Sequence, residues 1–149
     1  MLNNKKNKIL ALDISTSITG IAIADDDQIL ESSYWDTRNK KHFPAIYYKA
    51  KFIKDKIEDI KDRHKISHIY IEQSLHSFRS GFSSAQTLST LSRFNGIVSW
   101  ICWEVFETEP IMIAATSARK RAGLTIKRGE NAKQKVFQFV VFQMSLINY

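Results

Sequence analysis

The chain has 149 residues, 44% of them apolar and 11% aromatic, with 5 Gly and 2 Pro. That is enough apolar matter to offset chain entropy, so a mostly disordered chain is excluded, and the length is that of one ordinary domain rather than a two-domain enzyme. Lys and Arg number 22 against 15 Asp and Glu, a net charge of +7, which favours a polyanionic partner.

Residues 9–14 form an apolar run of strand length, suited to a buried central strand. Before it, Lys5, Lys6 and Lys8 lead into only four apolar residues, too few for a signal-peptide core. Residues 15–20 read as a polar, small-residue turn and residues 21–24 as a second strand. Asp25-Asp26-Asp27 supplies the next turn, and residues 28–35 alternate as a third strand, completing an antiparallel meander.

Ile46, Ala50, Ile53, Ile57 and Ile60 recur at helical spacing and give one apolar stripe. Residues 66–72 follow as a fourth strand; a crossover helix favours its parallel return beside the first. Residues 74–81 read as a loop, and residues 83–107 as a long helix. The second half of that helix is apolar nearly all round, which predicts cover on more than one side. Pro110 breaks it. Residues 111–114 read as a fifth strand, 116–122 as a short helix, 123–129 as a basic loop, and 131 onward as a last helix. The fold class is therefore α/β, a mixed five-stranded sheet with helices on both faces, in one domain over 1–149. The longest apolar stretch, residues 96–106, contains Glu104 and is too short to span a membrane, so a cytosolic protein is expected. Cys102 can form no internal disulfide and reads as a buried side chain in a reducing compartment.

Charge is clustered in two places. Residues 119–135 hold seven bases (Arg119, Lys120, Arg121, Lys127, Arg128, Lys133 and Lys135) against one acid, Glu130. Residues 36–65 hold ten bases and five acids.

Asp13 ends the first strand and Glu72 the fourth. On adjacent parallel strands the two carboxylates would project from one edge about 5 Å apart. Such a pair suits a hard divalent cation, which takes oxygen ligands. The alternative reading has Asp13 opening an Asx turn and Glu72 pairing with a lysine.

Leu12-Asp13-Ile14-Ser15-Thr16-Ser17-Ile18-Thr19-Gly20 resembles the opening motif of RuvC-type Holliday junction resolvases, in which an acid ending strand one precedes a small-residue turn and Thr-Gly. Ile71-Glu72-Gln73, then Ser84-Ala85 and Asn95-Gly96-Ile97-Val98, is similar to the second block of that family. Residues 116–136, with Asn131-Ala132-Lys133-Gln134-Lys135-Val136, look like its third, basic block. The resemblance implies an RNase H-like fold, a homodimer, and a crossover junction endodeoxyribonuclease of bacterial or phage type. Such an enzyme nicks four-way DNA using Mg²⁺, with Mn²⁺ as a substitute, through metal-activated water.

By position, Asp13 and Glu72 would be metal ligands and Lys133 the catalytic lysine facing the scissile phosphate; a solvated lysine in a helix's first turn is the plainer alternative. Leu75 and Phe78 would insert into or stack on unpaired bases, and Arg79 would hold a phosphate. Otherwise Phe78 and Phe82 staple the following helix to the core. Arg119, Lys120, Arg121, Lys127, Arg128 and Lys135 would bind the DNA arms.

The family uses four carboxylates, the last two on a C-terminal helix, whereas residues 136–149 carry no charge. Two carboxylates are a poor holder for two metals. The chain is then a piece of a longer enzyme, a junction-binding module without cleavage, or a subunit that borrows an acid from its partner. The apolar run 136–142 fits a helix covered by an absent element or by a dimer mate. A more distant similarity, of residues 13–20 to the phosphate turn of actin-like ATPases and sugar kinases, would require two related domains.

Overall fold

The computed structural model describes residues 6–73 and 84–147, with side chains through residue 142. Leu75, Phe78, Arg79 and Phe82 lie outside the described residues. The elements run β1 (Lys8–Asp13), β2 (Ile18–Ala24), β3 (Ile29–Asp36), α1 (Ile46–Arg63), β4 (Ile66–Glu72), α2 (Ala85–Phe106), β5 (Ile111–Ile113), α3 (Ala115–Arg121) and α4 (Ala132–Ile147). The described strands form one sheet in the order β3-β2-β1-β4-β5. β1 pairs antiparallel with β2 and parallel with β4, and β2 pairs antiparallel with β3. This is the predicted mixed sheet, with its meander and a helical crossover into β4.

Contacts divide the chain into two compact units, Met1–Met112 and Ile113–Tyr149. In the first, alternate strand residues face one way: Leu10 and Leu12 of β1, Ile21 and Ile23 of β2, and Ile69 and Ile71 of β4 are all buried. The α1 stripe (Ala50, Ile53, Ile57, Ile60) and Phe94, Val98, Ile101 and Val105 of α2 join them in a single core. α1 and α2 therefore cover the same face of the sheet. The helix ends follow local chemistry. Ser84 caps α2 by accepting from the Thr87 N–H at 3.2 Å, and Glu107 closes it in a left-handed conformation at φ 54°. Lys61 and Arg63 fill the last turn of α1, where cations oppose the helix dipole.

One expectation needs correction. β2 starts at Ile18, three residues earlier than predicted, because its ladder with β3 begins at Ile18 opposite Asp36, its ladder with β1 reaches Gly20 opposite Asp13, and Thr19 is buried between them. The polar look of Thr19-Gly20 hid a paired strand. The second half of α2, expected to be covered on more than one side, leaves Trp100 and Trp103 each about half exposed. Cys102 is fully buried, and burial pushes its thiol up to about 12.

In the second unit the described side chains of α3 and α4 are half-buried or exposed. Phe137, Val140, Val141 and Phe142 of α4 are exposed.

Candidate metal and nucleic-acid site

β1 and β4 run in parallel with Leu12 beside Ile71 as the last paired step. One residue further on, Asp13 and Glu72 end the two strands side by side. The pleat turns both away from the Leu12–Ile71 face, and both are exposed. Two acids 59 positions apart in sequence thus meet at one rim of the sheet, as their strand-end positions predicted.

The surrounding backbone is held by its own hydrogen bonds. Among the described residues no hydrogen bond or ion pair engages the Asp13 carboxylate, so the Asx-turn alternative is not what forms here. The turn is organised instead by Ser15, whose hydroxyl accepts from the Ser17 N–H at 3.2 Å, and by Thr19, whose hydroxyl donates to the Ser15 carbonyl at 3.2 Å. Thr37, buried just past β3, ties the far side down. Its N–H donates to the Ser17 carbonyl at 2.8 Å, and its hydroxyl lies 3.2 Å from the carbonyls of both Thr16 and Ser17. The Lys49 ammonium of α1 also donates to the Thr16 carbonyl. At Glu72, the buried Asn95 amide of α2 donates to the main-chain oxygen at 3.3 Å. Thr37 and Lys49 were not singled out from the sequence, and Asn95 entered only as the first residue of the Asn95-Gly96-Ile97-Val98 block.

The donor set sets a limit on the metal. Among the described residues no group of three or more His, Cys, Asp and Glu side chains comes together. Two adjacent carboxylates suit one Mg²⁺, which keeps several waters and is commonly held by one or two carboxylates and substrate phosphates. The residues present fit a single divalent ion.

The second unit presents the basic segment. Lys120, Arg121, Lys127, Arg128 and Lys133 are exposed. Arg119 is half-buried, with its Nε donating to the Ala115 carbonyl at 3.1 Å. Gly123, at φ 80°, lets the chain leave α3, and its N–H donates to the Lys120 carbonyl at 3.1 Å. Glu130 organises the loop that follows: its carboxylate accepts from the Lys127 N–H and pairs with Lys135 at 2.9 Å. The ammonium beside it holds the Glu130 carboxyl below its ordinary value. Lys135 is thus paired with an acid, unlike Lys120, Arg121, Lys127 and Arg128, for which no ion pair forms among the described residues. Asn131 begins α4 by accepting from the Gln134 N–H at 3.1 Å, which leaves Lys133 exposed in the first turn.

No family model and no curated protein matches the chain. Among solved structures it is similar to Thermus thermophilus RuvC in complex with Holliday junction substrate, with a TM-score of 0.67 and 14% identity over 90% of this chain and 77% of that one. It is also similar to Thermus thermophilus RuvC solved by itself, with a TM-score of 0.62 and 14% identity over 89% and 77%. The chain has the RuvC-type, RNase H-like fold. No helix among the described residues is long and apolar enough to cross a membrane.

Proposed function

We propose that this protein is a magnesium-dependent, structure-selective endonuclease that binds four-way or otherwise branched DNA and nicks it during recombination, repair or phage DNA processing. The observation that carries the reading is the meeting of Asp13 and Glu72 at the ends of adjacent parallel strands, in a chain with the RuvC-type fold.

Asp13 and Glu72 would hold the ion, Mg²⁺ or Mn²⁺, through their carboxylate oxygens. When bound, such an ion supplies Lewis acidity to a phosphodiester and a hydroxide source near neutral pH. The chain's own residues do the rest. Thr37, Lys49 and Asn95 fix the backbone on either side of the acids, so the donors are set before substrate arrives. Exposed Lys120, Arg121, Lys127 and Arg128 provide cations for phosphate, which makes binding steeply salt-dependent. Lys133 is assigned the role of offsetting charge that develops on the phosphate. Leu75, Phe78 and Arg79 are assigned the unpaired bases and backbone at the junction centre. The exposed apolar residues of α4 favour a homodimer, which would place two nicks symmetrically. Cytoplasmic DNA is the expected substrate pool.

The test is nicking of a synthetic four-way junction in Mg²⁺ and in Mn²⁺ by the wild type, Asp13→Asn, Glu72→Gln and Lys133→Ala. Each acid variant is expected to lose about 100-fold or more in rate while retaining junction binding. Equal nicking by wild type and acid variants rejects the assigned site.

The two-carboxylate donor set favours a second reading, a junction-binding module without cleavage. It predicts tight, salt-sensitive junction binding and no nicking at any concentration of either metal.

A further inference from the structure

Of the second charge cluster of the sequence, only Lys49 enters the site described so far. Residues 37–54 contain six cations (Arg38, Lys40, Lys41, Lys49, Lys51 and Lys54) and no acid. Three of them are engaged. Arg38 is bound through two nitrogens to Asp36, Lys54 pairs with Glu104 at 2.9 Å, and Lys49 donates to the Thr16 carbonyl. Lys40, Lys41 and Lys51 are exposed, and no ion pair among the described residues engages them.

These lysines are carried on ordered backbone. Asn39 folds the chain into a tight turn: its side-chain oxygen accepts from the Lys41 N–H at 3.0 Å, and its carbonyl from the N–H groups of His42 and Phe43 at 3.1 and 2.8 Å. Phe43 then anchors the turn on α1 by packing against Phe52, with ring centroids 5.3 Å apart. On α1, Lys51 lies one helical turn from Tyr47 and Tyr48, so the three share a face. Both tyrosines are strongly exposed, at 71% and 57%. The location is specific as well. Thr37, which begins this segment, and Lys49, in the first turns of α1, both bond to the turn that follows Asp13. The segment belongs to the same rim of the sheet as the paired acids.

We propose that the turn between β3 and α1, with the first turns of α1, is a second phosphate-backbone contact for a DNA arm, separate from the basic segment at 119–135. Lys40, Lys41 and Lys51 supply the charge, and the hydroxyls of Tyr47 and Tyr48 reach phosphate oxygens. This rests on the reading of the protein as a junction-DNA-binding nuclease. Phosphate contacts of this kind set the register of a protein on its duplex without reading sequence. A pre-ordered turn lowers the entropy cost of making them. Charge complementarity is the argument for DNA over a neutral partner, because an acid-free stretch of this length on an exposed surface repels other cations and favours a polyanion.

The test measures binding of the full-length chain to a four-way junction and to a duplex equal to one arm, across a salt series, by fluorescence anisotropy. The Lys40→Ala/Lys41→Ala/Lys51→Ala variant is expected to bind both DNAs at least about 10-fold more weakly. The slope of log affinity against log salt should become shallower by roughly 2.7, from three lost phosphate contacts. Arginine at the same three positions should restore both quantities. A Lys40→Ala/Lys41→Ala variant, altered only in the turn, guards against a folding defect in α1, and its slope should change by roughly 1.8. Wild-type affinity and slope in these variants, alongside weakened binding by Lys120→Ala/Arg121→Ala, would overturn this contact and leave the nuclease reading standing. No DNA binding by the wild-type chain would overturn both.

Discussion

The side-chain amide of Asn95 donates to the main-chain oxygen of Glu72 across 3.3 Å, joining the middle of α2 to the last residue of β4. Asn95 is buried on a helix face otherwise made of Phe94, Val98, Ile101, Cys102 and Val105. A polar group in that position is tolerated only because it is satisfied, and its partner is the residue whose side chain is assigned to the metal. Asn95→Ala removes the donor and leaves a small void. It should cost about 1–3 kcal/mol in urea unfolding. The same variant should lose nicking rate beyond any loss of folded fraction, because the end of β4 is released. A stability loss with full activity per folded molecule would confine Asn95 to a packing role.

Metal binding can be read without catalysis. If Asp13 and Glu72 share one divalent ion, Mg²⁺ stabilises the folded chain by mass action. At ten times the dissociation constant that amounts to about 1.4 kcal/mol, or roughly 4 °C in melting temperature for a domain of this size. Asp13→Asn and Glu72→Gln should each abolish the rise while melting near the wild-type value in the absence of metal. A Mg²⁺-dependent shift that survives both substitutions would place the ion elsewhere.

The turn after Asp13 depends on Thr37, which is 1% exposed and lies within 3.2 Å of two carbonyl oxygens. Thr37→Val keeps the shape and deletes the hydroxyl, leaving those carbonyls without that donor. A loss of about 1–2 kcal/mol is expected by chemical denaturation. Thr37→Ser keeps the donor and should recover most of it. Equal stability of the Val and Ser variants would show that the hydroxyl contributes nothing.

The antiparallel meander, the helical crossover to a strand beside β1 and the meeting of the two acids were legible because each depends on local pattern. The isoleucines of α1 keep a helical period, and residues 66–72 alternate up to Glu72. The start of β2 was not legible, since Ser15-Thr16-Ser17-Ile18-Thr19-Gly20 has turn composition throughout and only the ladder with β3, joined at Gly20 by that with β1, shows that its last three residues are paired. Nor was the partial exposure of α2 at Trp100 and Trp103, because periodicity reports apolar content and not what packs against it. The supports of the site were hidden for a related reason. Thr37 and Lys49 act on Thr16 and Ser17 from at least 20 positions away, and no local motif marks such a long-range bond to main chain.

Acid sensitivity should centre on Glu31, on the edge strand β3. Its carboxylate accepts from the Arg63 guanidinium of α1 at 2.8 Å, and His64 lies 3.5 Å away. The Arg63 hydrogen bond holds its carboxyl below the ordinary value, against an opposing contribution from partial burial. A carboxylate whose pKa falls on folding contributes stability that is fully present above its unfolded value, about 4.5, and is lost as pH drops through the lower folded one. Glu31→Gln removes that contribution, so wild type and variant should differ at pH 7 and converge as pH falls below about 4. The gap at neutral pH should not exceed about 1 kcal/mol, because the pair is partly open to water. Asp36, held down to about 2 by its hydrogen bonds from Arg38, titrates equally in both proteins, so it drops out of the difference. Urea unfolding at pH steps between 7 and 3 reads the convergence directly. A gap that stays constant across that range would mean the Glu31–Arg63 pair contributes no pH-dependent stability.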